Sequence, residues 1–242
     1  MPAPDSDPTP DTTPAATPDQ QATRVLAIRH GETDWNVAGR VQGQLDIGLN
    51  ATGRWQVRRL RQALADERIA AVYASDLARA FETAQALQCG GGAAIVPDSG
   101  LRERHFGVFQ GLTFDQVSER WPEQAQRWRR RDPDFGAEGG ETLREFYARS
   151  VATATRLAAL HPGQTIALVS HGGVLDCLYR AATRILLEAP RSWKVGNAGI
   201  NRLLYSPEGF TLIGWSDTQH LDGDALDEFD ERSTPDKPSV PA

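Results

Sequence analysis

The sequence predicts an α/β protein, a three-layer α/β/α sandwich around a mostly parallel sheet. Three observations predict it. Short apolar runs alternate with amphipathic stretches of helical period. The first run, Val25-Leu26-Ala27-Ile28, is long enough for one buried strand and too short for a globular helix or a membrane span. Two of the runs end in His-Gly, at His30-Gly31 and at His171-Gly172. Strands alternating with helices form a parallel sheet covered on both faces, and such sheets bind ligands beyond the carboxyl ends of their strands.

The elements follow in order. After the first strand, Leu49-Asn50-Ala51-Thr52-Gly53 offers a helix start, with Asn50 or Thr52 able to accept first-turn amides. Val57, Leu60 and Leu64 repeat at helical spacing, with arginines opposite. Ala70–Ala74 reads as a second strand. Ser75-Asp76 is expected to cap a helix with the stripe Ala80, Phe81, Ala84 and Leu87, which the glycines at 90–92 stop. Ala94-Ile95-Val96 is a third strand closed by Pro97. Residues 105–140 break the rhythm with Trp- and Arg-rich pieces punctuated at Trp121-Pro122 and Asp132-Pro133, as an insertion packed over a site does.

From Glu141 a long amphipathic helix carries Leu143, Phe146, Tyr147, Ser150, Val151, Ala154 and Leu157 on one face. Gln164–Val169 is a central strand that turns at Ser170-His171-Gly172-Gly173 into a helix with Val174, Leu175, Leu178 and Tyr179. Gly199–Tyr205 and Phe210–Trp215 are two final strands joined by the turn Ser206-Pro207-Glu208-Gly209.

Of the 242 residues, 40% are apolar, and they are clustered enough for one core over residues 23–216. Residues 1–22 and 217–242 read as disordered tails. The first is rich in Pro and Thr and has neither the basic start nor the apolar middle of a signal peptide; the second is acidic. No run approaches membrane-spanning length, so a cytoplasmic protein is expected. The net charge of −6 argues against nucleic acid or an anionic membrane as a partner, yet leaves room for local arginines to bind an anion. The two cysteines, Cys89 and Cys177, have no metal-ligand spacing and do not suggest a disulfide framework; Cys177 reads as a small core residue.

Arg29-His30-Gly31-Glu32-Thr33, with Asp34-Trp35-Asn36 and Arg40-Val41-Gln42-Gly43, resembles the signature of the histidine phosphatase superfamily, the phosphoglycerate mutase-like proteins. Four further blocks match in family order: Ser75-Asp76-Leu77-Ala78-Arg79, Leu101-Arg102-Glu103, Gly140-Glu141-Thr142 and Ser170-His171-Gly172-Gly173. The resemblance spans roughly residues 24–216.

Read from the residues alone, two imidazoles 141 positions apart would face one cleft from neighbouring strand ends, with Gly31 letting the backbone approach a ligand. A metal site is one alternative, but histidine ligands usually come with a third His, Cys or carboxylate, and no H-E-x-x-H occurs. Phosphoryl transfer accounts for more of the pattern. A neutral imidazole is a nucleophile near pH 7, and guanidinium forks bind phosphate oxygens in pairs.

The resemblance implies the roles. His30 carries the phosphoryl group. Arg29 and Arg79 hold it, and His171 adds a donor expected to be cationic beside the phosphate. Asn36 contacts it through its amide, the Gly172 N–H near a helix start adds one more donor, and Glu103 is the general acid and base. Glu32 and Glu141 are weaker candidates, explained by loop structure and helix capping; His105, His161 and His220 lack a strand-end context. No metal, nucleotide or other cofactor is expected, and neither a P-loop nor a convincing G-x-G-x-x-G is present. The family is often dimeric.

The superfamily holds both mutases and phosphatases. Phe106 stands where mutases carry Tyr, and Phe114 where they carry Lys. Both changes remove polar groups expected to grip a phosphoglycerate, so the expected function is a phosphatase acting on a small phosphomonoester, with a cofactor-dependent phosphoglycerate mutase as the alternative. Trp128-Arg129-Arg130 resembles the mutases' carboxylate-binding pair, while Arg127, Arg129, Arg130 and Arg131 read equally as a solvated helix face. An inert phosphate-binding protein and a nucleic-acid binder using this Arg-Trp segment are the readings from other classes.

Overall fold

The computed structural model describes residues 21–88 and 93–222. The tails, Cys89 and the glycines at 90–92 fall wholly or mostly outside these residues.

Six strands form one sheet in the order β3-β2-β4-β1-β5-β6. They are β1 (Thr23–Arg29), β2 (Ile69–Ala74), β3 (Ile95–Pro97), β4 (Thr165–Ser170), β5 (Ile200–Ser206) and β6 (Gly209–Asp217). The first four are mutually parallel, and β5 and β6 add an antiparallel edge. Pro97 lacks a ladder donor and is accommodated because β3 is an edge strand.

Successive residues of β1 face opposite layers. Val25 and Ala27 join a core with Leu157, Leu175 and Leu178; Leu26 and Ile28 join one with Leu60, Ala80 and Ala84. The helices supplying these partners are α6 (Leu143–Ala158) and α7 (Gly172–Thr183) for the first core. For the second they are α2 (Ala51–Ala63) and α3 (Ala78–Gln85). The remaining helices are α1 (Asp34–Val37), α4 (Phe114–Arg120) and α5 (Pro122–Arg129).

Four of the seven helix starts among the described residues carry a side-chain cap. Asn50 accepts from Gly53 N at 2.8 Å, and Thr142 with Glu145 forms a capping box on α6. Ser75-Asp76 does not cap α3 as expected. Leu77 occupies that position without a side-chain bond, and the Ala78 N–H donates instead to Asp46 Oδ1 at 2.6 Å. Asp76 is drawn away by Arg102, and Ser75 is bonded to His171.

The 105–140 region builds its own small core. Phe109, Val117, Ala125, Phe135 and Ala137 are buried, with Phe106, Phe114, Trp121 and Trp128 against them. The described structure continues past residue 216, where the domain was expected to end. Asp217 closes β6 and pairs with Arg202 at 2.7 Å, and a 3₁₀ turn covers Gln219–Leu221. The His220 carbonyl accepts from Arg59 Nε at 2.9 Å, tying this turn to α2. No helix among the described residues is long and apolar enough to cross a membrane.

Candidate active site

The sheet register creates the site. Arg29 of β1 pairs with Ser170 of β4, so His30 and His171 each lie one residue beyond neighbouring parallel strands. Their ring centroids are 5.2 Å apart. His30 Nδ1 lies 2.7 Å from the Gly31 carbonyl. A carbonyl only accepts, so Nδ1 carries the proton and Nε2 keeps its lone pair. Burial, followed by the Arg29 and Arg79 charges, holds His30 well below its ordinary 6.5. The imidazole is therefore neutral.

His171 is arranged the other way round. Its Nε2 meets Ser75 Oγ at 2.9 Å, and its buried Nδ1 has no partner. Ser75 Oγ accepts from the Leu77 N–H and has its own O–H to donate to Nε2, an arrangement in which Nδ1 carries the proton. Burial first, then Arg79, holds His171 well below 6.5 too. The expected cationic form is thus not that of the ligand-free protein. Burial and two guanidiniums oppose it.

The guanidiniums are preset by backbone carbonyls. Arg79, 1% exposed, donates to the carbonyls of Leu45 at 2.9 Å and Gly43 at 2.7 Å. Arg29 donates to the Val195 carbonyl at 2.6 Å. The Nε–H of each is buried and unpaired. Burial lowers both, Arg79 to about 10, so they remain charged at neutral pH. Buried donors without partners are costly, and an anion between them would satisfy them.

Asn36 joins them through the capping box of α1. Its Oδ1 accepts from Thr33 N and Oγ1, both at 3.1 Å, and from Asn197 Nδ2 at 3.2 Å. Its amide NH₂ is left for the cavity that it lines with Arg29, His30, Arg79, Glu103 and Phe106, about 190 Å³ in volume. A second cavity of about 290 Å³ adjoins it, sharing Arg29, Glu103, Phe106 and Trp128 and adding Gly172 and Gly173.

Glu103 stands at the junction. Its oxygens accept from the N–H groups of Arg104 at 2.8 Å and Gly173 at 3.0 Å. A Cβ on Gly173 would collide with Glu103 Oε1, so this glycine is required for the contact. Gly31 has a different task from the one expected. A Cβ there would lie 2.7 Å from the Gly53 carbonyl, so it permits close packing of the β1 end on α2 rather than approach of a ligand. Gly172 opens α7 against the Arg29 side chain, in the first turn whose amides lack helical partners.

Glu141 is scaffolding. It binds Arg149 at 2.7 Å, and Arg149 in turn holds the carbonyls of Gly100, Arg102 and Glu103. Glu32 accepts from Asn50 at 3.0 Å. His105 Nδ1 accepts from the Gly107 N–H, and His161 bonds Tyr73 and Gln164. Arg129 and Arg130 are exposed, over the Phe114 ring and against Gln126 respectively, and line neither cavity. Arg131, with φ 57°, turns inward.

Asn197 and Ala198 carried no signal in sequence, and Ser75 reads there as a helix cap and part of a motif block, not as the partner of His171. The Ala198 N–H reaches the carbonyls of Arg29 and His30, at 3.1 and 3.2 Å, from a left-handed φ of 53°. Among the described residues, no group of three or more His, Cys, Asp or Glu side chains is placed to hold a metal ion.

The profile of the histidine phosphatase superfamily (branch 1) matches residues 25–218. The chain belongs to the histidine phosphatase superfamily. It is a phosphoric monoester hydrolase of the phosphoglycerate mutase-like fold. It is 39% identical to phosphoglycerate mutase-like protein 4 of Arabidopsis thaliana over 204 residues, 82% of this chain and 86% of that one. It is 36% identical to a metal-independent phosphoserine phosphatase of the same plant, over 84% of this chain and 85% of that one. Among solved structures, a mycobacterial glucosyl-3-phosphoglycerate phosphatase in complex with VO3 superposes with a TM-score of 0.71. That pair is 32% identical, over 80% of this histidine phosphatase and 98% of the mycobacterial chain.

Proposed function

We propose that this histidine phosphatase hydrolyses a small phosphomonoester through a phosphohistidine on His30. The observation that carries the reading is the placing of two buried imidazoles at neighbouring strand ends: His30, held at Nδ1 by the Gly31 carbonyl, keeps a lone pair at Nε2, while His171, held at Nε2 by Ser75, leaves Nδ1 without a protein partner. One attacks and the other stabilises.

The phosphoryl group lies among Arg29, Arg79, His171, Asn36 and the Gly172 N–H. Their donors oppose the charge that spreads over its oxygens as the bond to the leaving oxygen loosens. His30 Nε2 bonds to phosphorus, the ester P–O bond breaks, and Glu103 gives its proton to the departing alkoxide. Glu103 then takes a proton from water, whose oxygen bonds to phosphorus as the P–N bond breaks and inorganic phosphate leaves. As phosphate binds, its charge favours protonation of His171, which strengthens that hydrogen bond.

Transfer to water rather than to a second sugar acid is favoured by the apolar cover. Phe106 and Trp128, 5.4 Å apart, form a wall of both cavities. Steady-state hydrolysis of p-nitrophenyl phosphate in EDTA, for the wild type and His30→Ala, tests the reading. Activity is expected to survive the chelator and to fall at least about 10⁴-fold in the variant, with acid-labile phosphate trapped on the wild type alone. Activity abolished by EDTA or retained in His30→Ala overturns it. Phosphoryl exchange between phosphoglycerates exceeding hydrolysis marks a mutase.

A further inference from the structure

Asp176 forms part of the wall of the larger cavity, five residues after His171 on α7. It is only 4% exposed. One of its oxygens does all its visible work: Oδ2 accepts from Arg131 Nη2 at 2.6 Å and from Arg180 Nε at 3.0 Å. The other oxygen, Oδ1, is buried and has no partner. A carboxylate needed only to balance two guanidiniums would spread them over both oxygens. An unpaired, buried acceptor on a residue that lines the cavity is what a donor arriving with a ligand would satisfy. Arg104, Arg131 and Arg191 line the same cavity, so the group it takes is also acidic.

We infer that Asp176 is a specificity-determining residue, whose Oδ1 accepts a hydrogen bond from an ammonium or hydroxyl group on an acidic leaving alcohol. This rests on the phosphatase reading above, since the alcohol enters this cavity only when its phosphoryl group lies beside His30. Arg131 is the second half of the device. Its left-handed backbone turns the guanidinium off the exposed face of α5, and its Nε–H donates to the Leu187 carbonyl at 2.8 Å. It thereby fixes Asp176 and adds positive charge for the alcohol's own acid group.

Three ligands that differ in one substituent separate the possibilities: phosphoserine (ammonium), 3-phosphoglycerate (hydroxyl) and 3-(phosphonooxy)propanoate (hydrogen). Binding is measured by calorimetry in His30→Ala, which reads affinity without turnover, and again after adding Asp176→Asn. In that isostere the two guanidiniums keep the amide oxygen, so the NH₂ takes the place of Oδ1 and turns an acceptor into a donor. The His30→Ala protein is expected to bind phosphoserine or 3-phosphoglycerate at least about tenfold tighter than the propanoate. The tighter of the two identifies the donor, and Asp176→Asn is expected to erase the preference. The ratio is taken within each protein, so a general loss of affinity cancels.

Equal affinities for all three ligands, no binding of any, or a preference that survives Asp176→Asn would each overturn the assignment and leave Asp176 as a counter-ion. If p-nitrophenyl phosphate is still hydrolysed through His30, that outcome spares the phosphatase reading. Loss of hydrolysis in the wild type is what sinks the latter.

Discussion

The two adjoining cavities are built in opposite ways. The smaller one is set by strand ends: its arginines are pinned by backbone carbonyls and its imidazoles by short-range or buried partners. The larger one is walled by the 105–140 region, by α6, by α7 and by the segment before β5. Its charged side chains are held largely by one another or by loop carbonyls. On the proposed function the first holds the phosphoryl group that every substrate shares, and rigid backbone suits an invariant ligand. On the same proposal the second receives the part that varies, and side chains on connecting segments can change without disturbing the sheet.

The comparison breaks most visibly at Arg79. Arg79→Ala removes a charge from the shared cavity and is expected to lower kcat/KM about a thousandfold. The loss should be equal for p-nitrophenyl phosphate and for alkyl phosphates, since both lose the same contact. A loss confined to one substrate, read from parallel steady-state assays, would mean that the two cavities are not separate in function.

Glu103 sits where they meet, so its effect is expected to be smaller and to depend on the leaving group. Glu103→Gln keeps the shape and removes the proton. An alkyl phosphate needs that proton on its poor leaving group and should slow about a hundredfold, whereas p-nitrophenolate departs unaided and should slow by less than about tenfold. Equal losses would remove Glu103 from the acid role.

A third effect lies in stability. His30 and His171 are both held neutral in the folded protein, well below the 6.5 at which they titrate when unfolded. Below pH 6.5 the unfolded chain binds protons that the folded chain refuses. Stability is therefore fully present above this pH and falls as pH drops below it, with a slope of up to about 2.7 kcal/mol per pH unit while both differ. Chemical unfolding between pH 7.5 and 5 measures it. Saturating phosphate should flatten the slope by favouring protonated His171. A slope that phosphate leaves unchanged would mean that the bound anion does not reach that imidazole.

How much of this was legible differs between the regions. The strands, the amphipathic helices and the His-Gly strand ends are local patterns, and β1, β4 and α6 lie where period and caps put them. The residues singled out in the motif blocks, from Arg29 and His30 to Glu103 and His171, line or adjoin one cavity. Ser75 was legible as a helix cap and as part of a motif block, not by what it holds. Its true partner is 96 positions away, and no local rule sees such a bond. Asp176 read as an unremarked polar position in a helix, because the bareness of Oδ1 exists only once Arg131 and Arg180 have claimed Oδ2. Arg129 and Arg130 drew notice for their resemblance, but the left-handed turn at Arg131 decided which arginine faces inward.

The sequence by itself determined the order of strands and helices, the apolar faces they bury, and which residue types stand at the strand ends. These are consequences of side-chain periodicity and cap chemistry, which act within a few residues. Only the tertiary structure decided which ring nitrogen of each histidine is free, which carbonyls fix the arginines, and which buried oxygen is left wanting a donor. Those properties depend on hydrogen bonds between residues far apart in the chain, and a hydrogen bond has no direction until both partners are in place.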